Sequence, residues 1–258
     1  MEDSTKNKSK IINQAPKFLQ EILPYISPRI FDLIDIPTVT LNMAKLSYQY
    51  LFSIGVEEIK KDFQPFLPSG ITFKKDEKDE MISDKDIGEK ILEIYFLQIL
   101  RPGKIFLDLR SNLFNKKSGN IQWKPNGIYC VLEESFRHGL VNLYKGFYLN
   151  DEVLYFKGMF QIGLISETDP PEIKTKMKSI FDAHFGDGNQ EQVIFKLEKF
   201  SESFHQIFDF IYQQQKKLSP DFVYLGIYLV ALYEHLEKLP VALNVRKSFI
   251  NALEKVSK

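Results

Sequence analysis

The sequence predicts a mainly α protein (α+β in its minor part) that contains one small β-hairpin near its middle. Apolar residues recur at three- and four-residue steps through most of the chain, and proline or glycine interrupts them at intervals typical of helix ends. Two short segments depart from this pattern, KIFLDL at 104–109 and NIQWK at 120–124, and we expect both to be strands. A turn signal at 116–119 lies between them, so the sequence predicts that they pair with each other.

Composition shifts divide the chain into four predicted segments, namely a disordered tail, a helical N-terminal segment, a charged loop and a main helical domain. Their bounds are 1–15, 16–73, 74–84 and 85–258. The tail is polar, and the loop begins with KKDEKDE, which mixes both charges without apolar periodicity. We therefore place the domain boundary at this loop.

Prolines limit the first helices of the N-terminal segment to short turns over 17–23 and 29–34. A longer helical pattern begins at Thr38, and its apolar residues recur at helical steps until it ends before Pro65. This pattern indicates a long helix between those two residues.

The main domain begins with a helix expected over 85–100, which Ser83 or Asp84 can cap. After the predicted hairpin the pattern is helical to the end of the sequence. The most apolar run, 222–233, is shorter than the roughly 20 residues that a bilayer span needs, and it predicts a buried helix. The helices expected after the hairpin cover 132–149, 151–164, 170–184, 196–217, 220–238 and 243–256.

Charge and cysteine content argue against several classes of protein. Lys+Arg and Asp+Glu both number 34, so the chain has no excess cations to bind nucleic acid. The single cysteine, Cys130, excludes an intrachain disulfide framework and a Cys-rich zinc site. The polar N-terminus does not predict a secretory signal, and together with the lone cysteine this predicts a cytoplasmic protein. Peripheral contact with a membrane surface stays open because the chain is rich in aromatic residues.

Motifs for chemistry are scarce, since the chain has no G-x-S-x-G, Walker A or G-x-G-x-x-G sequence. The histidines fall in different predicted helices without ligand spacing, so we predict no metal site and expect structural or solvent-facing roles for them. Aromatic residues spaced along 136–148 and the single Trp123 are expected to belong to the core. The four histidines are His138, His184, His205 and His235.

One ordered set of residues is more informative. Asp108 and Asn112 follow the first predicted strand, the turn residue Gly119 comes seven positions later, and Gly127 comes eight positions after that. Further members are Leu132, Arg137, Leu140, Asp151 and the segment SPDFVYLGIYLVALYEHLEKL at 219–239. In order and spacing this set, over about 85–240, resembles the C-terminal lobe of the UbiB/AarF atypical kinase-like family. The resemblance implies a protein-kinase-like helical lobe for the main domain.

The resemblance also implies roles for three residues. Asp108 stands at the position of the catalytic-loop aspartate, and Asn112 and Gly127 stand at positions that bind the metal and nucleotide cofactor. The chain departs from the family at its D-F-G motif, because Pro125 replaces the carboxylate that holds Mg²⁺ during phosphoryl transfer. Both histidines of the catalytic loop are absent as well, and residues 1–84 contain no counterpart of the family's nucleotide-binding loop.

The matched spacing and the lost carboxylate together favour a non-catalytic, pseudokinase-like domain that acts as a scaffold or binding module without a cofactor. The resemblance links it to isoprenoid-quinone or lipid metabolism, so its partner is a protein or an apolar, lipid- or quinone-like ligand. A first alternative is an ATP- and Mg²⁺-dependent kinase or ATPase in which Glu133 or Glu134 supplies the missing ligand. A second is an unrelated helical protein-interaction domain, in which Asp108 and Asn112 are turn residues.

Geometry can separate these three possibilities. A cleft that brings together Asp108, Asn112 and one further carboxylate would favour the enzyme. An ion pair between Asp108 and Arg110 would argue against it. A helix after Gly127 that does not pack beside the hairpin would favour the unrelated domain.

Overall fold

The computed structural model describes residues 17–74, 82–117, 120–186 and 192–256. The predicted disordered tail and most of the predicted charged loop lie outside these residues, as does the tip of the predicted turn at 116–119. The described residues are mainly helical with a few short strands, which confirms the predicted fold class.

In the described part of the N-terminal segment there are four α-helices, where three were predicted. They are α1 (Lys17–Ile22), α2 (Ile30–Leu33), α3 (Ile36–Phe52) and α4 (Val56–Phe63). Asp35 caps α3, since its side chain accepts a hydrogen bond from the Thr38 backbone N–H at 3.0 Å. The prediction of one long helix up to Pro65 was wrong. Ser53 and Gly55 both adopt left-handed backbone angles, with φ of 49° and 87°, and end α3 although the apolar period continues across them.

The strands pair differently from the prediction. They are β1 (Ile71–Thr72), β2 (Ile105–Phe106), β3 (Phe114–Lys117), β4 (Asn120–Trp123) and β5 (Tyr129–Cys130). One sheet has the order β1-β4-β3, in which β4 is antiparallel to β3 and parallel to β1. A second sheet pairs β2 with β5.

The predicted pairing of KIFLDL with NIQWK was therefore wrong, although one small hairpin is present and consists of β3 and β4. A 3-10 turn at Ser111–Leu113 redirects the chain after KIFLDL, so FNKK becomes the partner of NIQW. The strand character of FNKK is hidden in the sequence because only its first residue is apolar. The two residues of β2 instead pair with Tyr129 and Cys130, more than twenty residues later in the chain.

The main domain forms every predicted helix, and their bounds differ from the prediction by at most four residues (Gln213 against residue 217). The helices are α5 (Asp84–Leu100), α6 (Glu134–Leu149), α7 (Glu152–Gln161), α8 (Pro171–Phe185), α9 (Leu197–Gln213), α10 (Asp221–Glu237) and α11 (Val245–Val256). Ser83 caps α5 as predicted by accepting a hydrogen bond from the Asp86 N–H at 3.1 Å. Asp151 caps α7 in the same way.

The core is centred on α5 and α10, which are buried over most of their length. The apolar run 222–233 lies in α10, as predicted, and no helix among the described residues is long and apolar enough to cross a membrane. Trp123 is fully buried among phenylalanine rings, which confirms its predicted place in the core. The N-terminal helices pack onto this core: α1 contacts α10, and the Leu218 N–H donates to Leu33 O at 2.8 Å.

Candidate functional site

The segment that follows β2 places Asp108 and Arg110 in the interior. Residues 107–110 belong to no helix or strand, Arg110 has extended backbone angles, and both the apolar and the charged side chains of this stretch are buried. Two hydrogen bonds to its backbone hold the segment in place. The Leu107 N–H donates to Ile128 O at 3.2 Å, and the His235 side chain donates through Nδ1 to Leu109 O at 2.9 Å. Asp108 and Arg110 lie two residues apart, and their side chains meet on the same side of the segment.

The Asp108 carboxylate is saturated with hydrogen bonds. Oδ1 accepts from Arg110 Nε at 2.9 Å and from the Arg110 backbone N–H at 3.1 Å. Oδ2 accepts from an Arg110 terminal nitrogen at 2.9 Å and from Asn126 Nδ2 at 2.8 Å. A carboxylate offers about four lone-pair sites, so these four bonds use its full accepting capacity.

Arg110 extends this pair into a cluster that joins distant parts of the chain. Its remaining terminal nitrogen donates to Glu21 Oε2 of α1 at 2.5 Å, and Glu234 of α10 lies 4.0 Å from Nε. Burial opposes the guanidinium charge, but the hydrogen bonds and attraction from Asp108 and Glu21 outweigh it and raise the pKa of Arg110. Arg110 therefore stays charged and connects α1, the segment after β2 and α10.

The other two residues implied by the resemblance lie outside this cluster. Asn112 is exposed in the 3-10 turn. Gly127 has a φ of 83°, and a Cβ built on it would lie 2.6 Å from the backbone oxygen of Ile54. Gly127 therefore permits the close approach of the 126–129 loop to the turn between α3 and α4.

The carboxylates considered as substitute metal ligands are at the start of α6. Glu133 and Glu134 are both exposed, and within the described ranges neither forms a hydrogen bond or ion pair with Asp108. The described residues contain no group of three or more His, Cys, Asp or Glu side chains placed to hold a metal ion. The helix that follows Gly127, α6, packs mainly against α7 and also against α5.

Two of the histidines and the cysteine noted in the sequence have surroundings that indicate structural roles. His235 is buried under the 107–110 segment, and burial lowers its pKa to about 4. His184 is surrounded by phenylalanine rings and bonds Ser203 through Nδ1 at 2.7 Å. Cys130 is buried, and burial raises the pKa of its thiol. A thiol in this state is a poor nucleophile.

A second candidate site is a partly open cavity of about 50 Å³ lined by α5, α6, α8, α10, α11 and the segment before α9, with mainly aromatic walls. Polar groups that line it are on Tyr95, Tyr144, Tyr148, Tyr233 and His184. The hydroxyls of Tyr95 and Tyr144 are hydrogen-bonded at 2.5 Å. Burial raises the pKa of Tyr144 to about 12 and lowers that of His184 to about 4, so both are neutral near pH 7. The described lining residues include no Lys, Arg, Asp or Glu, so the cavity suits an uncharged group.

Comparison with protein-family models gives no match, and comparison with curated proteins gives none either.

Three partners of the Asp108–Arg110 pair were missed by sequence reasoning, namely Asn126, Glu21 and Glu234. The D-x-R spacing in LDLR signals the pair itself, because alternate residues of extended chain share a face. The partners come from elements that are distant in the chain, and their residue types are common on protein surfaces. No local signal in the sequence identifies them.

Proposed function

We propose that the protein is a non-catalytic, pseudokinase-like domain related to the UbiB/AarF family, which serves as a scaffold or binding module. The saturated carboxylate of Asp108 is the observation that supports this most directly. Mg²⁺ takes oxygen ligands, and all four accepting sites of Asp108 are already used by Arg110 and Asn126. The neighbouring guanidinium also repels a cation. Asp108 therefore serves the fold in this proposal and does not take part in phosphoryl transfer.

The enzyme alternative places a rearranged ATP and Mg²⁺ site at the same residues. It requires Asp108 to release Arg110 and a further carboxylate to approach. Asp108 and Arg110 form an ion pair, and this geometry argues against the enzyme alternative.

Thermal unfolding with and without millimolar ATP and Mg²⁺, together with an assay of phosphate release, tests the proposal. Asn112→Ala removes the implied metal ligand without disturbing the buried cluster, and the exposed Asn251→Ala on α11 is the matched control. A nucleotide present at 100 times its dissociation constant stabilises by about 2.7 kcal/mol, which moves the midpoint by several degrees. We expect no shift and no phosphate release. Phosphate release that is lost in Asn112→Ala and kept in Asn251→Ala would overturn the proposal.

The link of this proposal to isoprenoid-quinone or lipid metabolism rests on the family resemblance. The aromatic cavity suits a small apolar group, because its walls are rings and its polar groups are neutral; at about 50 Å³ it must widen to admit a quinone ring. A short-chain isoprenoid quinone should raise the unfolding midpoint of the parent protein and raise that of Tyr148→Phe less. The absence of a shift in the parent would remove the quinone from the proposal and leave a protein partner.

An unrelated helical protein-interaction domain is the second candidate. Two observations favour it: α6 packs mainly against α7, and α3 presents exposed apolar side chains to solvent. Absence of nucleotide and quinone binding, together with an interaction through α3, would support this candidate over the first.

A further inference from the structure

The outer face of α3 is apolar although it is exposed to solvent. Leu41 and Leu51 are 72% and 71% exposed, and Phe52 and Tyr48 are 64% and 57% exposed. The opposite face of the same helix is buried against the core through Val39, Met43, Leu46 and Gln49. A helix that is apolar on both faces is normally covered on both.

The exposed face has the spacing of a helix–helix seam. Leu41, Ala44, Tyr48 and Leu51 recur at steps of three, four and three residues, which are the a and d positions of a heptad. All four are exposed. The only charged residue of α3 is Lys45, which lies beside this seam and leaves its centre free of charge.

We propose that a second copy of this chain covers the seam, with the two α3 helices packed antiparallel about residue 46. In that arrangement the order of large and small residues is self-complementary. Tyr48 of each copy lies over Ala44 of the other, and Leu41 lies against Leu51. The two Lys45 side chains are then at the rim, where their ammonium groups remain in water.

The area available is consistent with a reversible dimer. The exposed parts of the seam together with Phe52 and Ile54 amount to roughly 600 Å² per copy, since a large aromatic or aliphatic side chain offers on the order of 200 Å². Two copies would bury about 1,200 Å², which is at the lower limit of specific interfaces. The inference holds whether or not the family resemblance is correct.

Sedimentation velocity from about 1 to 200 µM tests the dimer. Leu51→Lys places a charge in the seam and should weaken dimerisation at least tenfold, while Val153→Lys, at a 78% exposed position on α7, should leave it unchanged. A parent chain that remains monomeric over this range would overturn the proposal. Equal dimerisation of the parent and Leu51→Lys would also overturn it.

Disulfide trapping tests the antiparallel geometry. A mixture of Ala44→Cys and Tyr48→Cys chains should cross-link faster than either chain alone, since residue 44 faces residue 48 of the other copy. Faster trapping of Ala44→Cys with itself would contradict the antiparallel arrangement.

Vesicles of phosphatidylcholine provide a further test. Binding of the parent as a monomer, abolished by Leu51→Lys, would assign the face to lipid and overturn the dimer.

Discussion

Asn126 Nδ2 donates to Asp108 Oδ2 at 2.8 Å, while Asn126 Oδ1 accepts from the Ile128 backbone N–H at 3.2 Å. One side chain thus fixes the loop before β5 to the segment after β2. An amide suits this place because it provides a donor and an acceptor together, whereas a carboxylate near neutral pH only accepts. In the family that the sequence resembles, the position of Asn126 corresponds to the central residue of the D-F-G motif. In this chain the residue at that position donates the fourth hydrogen bond to the Asp108 carboxylate.

Asn126→Asp should destabilise the protein at pH 7 by at least about 2 kcal/mol, because it removes a donor and places a second carboxylate beside Asp108. Repulsion raises the pKa of the new carboxyl in the folded state, so the folded variant binds a proton before the unfolded one as the pH falls. The deficit relative to the parent should therefore shrink at acid pH in urea unfolding. Asn126→Ala is the control. If the loss of unfolding free energy in Asn126→Asp had the same pH dependence as the loss in Asn126→Ala, the repulsion between the two carboxylates would not be its cause.

Asp108→Ala should cost about 3–5 kcal/mol of unfolding free energy, since it leaves the buried Arg110 without its main partner. The double variant Asp108→Ala/Arg110→Met should be more stable than Asp108→Ala alone, because no uncompensated charge remains. Urea unfolding of the full double-mutant cycle measures the coupling. Glu57→Ala removes an exposed ion pair with Lys60 and should change the free energy by less than about 1 kcal/mol. Additive effects at 108 and 110 would show that the pair is not coupled.

Gly127→Ala should be more destabilising than Gly163→Ala. Both glycines have a φ near 80°, so both variants incur the cost of about 1–2 kcal/mol for an L residue in that region. Only at Gly127 would the new Cβ also meet the Ile54 backbone oxygen, whereas nothing lies within 4 Å at Gly163. The difference between the two unfolding free energies reports this contact. Equal losses would mean that the loop moves to relieve the contact.

Stability should fall as the pH is lowered from about 6.5 to about 4. Burial lowers the pKa of His184 and His235 to about 4 in the folded state, against 6.5 for a free imidazole. Between these values the unfolded chain binds more protons, so acid favours unfolding, with a slope of up to about 1.4 kcal/mol per pH unit for each histidine. His235→Gln should reduce the slope. A slope unaffected by His235→Gln would contradict the role assigned to its burial.

Sequence patterns predicted the helices of the main domain because their signals are local. Ser83 precedes an apolar period and caps α5, and the run 222–233 becomes buried in α10. The strand pairing was not predictable in the same way, since β2, β4 and their partners are only two to four residues long and FNKK shows no alternation. The resemblance directed attention to Asp108, but the residues that saturate it were not predictable. Their contacts depend on how distant elements pack, which no local signal reports.

The attachment of α1 and α2 to the rest of the chain has a consequence for synthesis. Glu21 is paired with Arg110, and Leu33 O accepts from the N–H of Leu218, nearly 200 residues later. A chain emerging from the ribosome exposes α1 and α2 before Arg110 is made, and well before Leu218 is made. Such contacts of high sequence separation form late and slowly. Until those residues are made, α1 and α2 are without their final partners, and their apolar faces are available to chaperones.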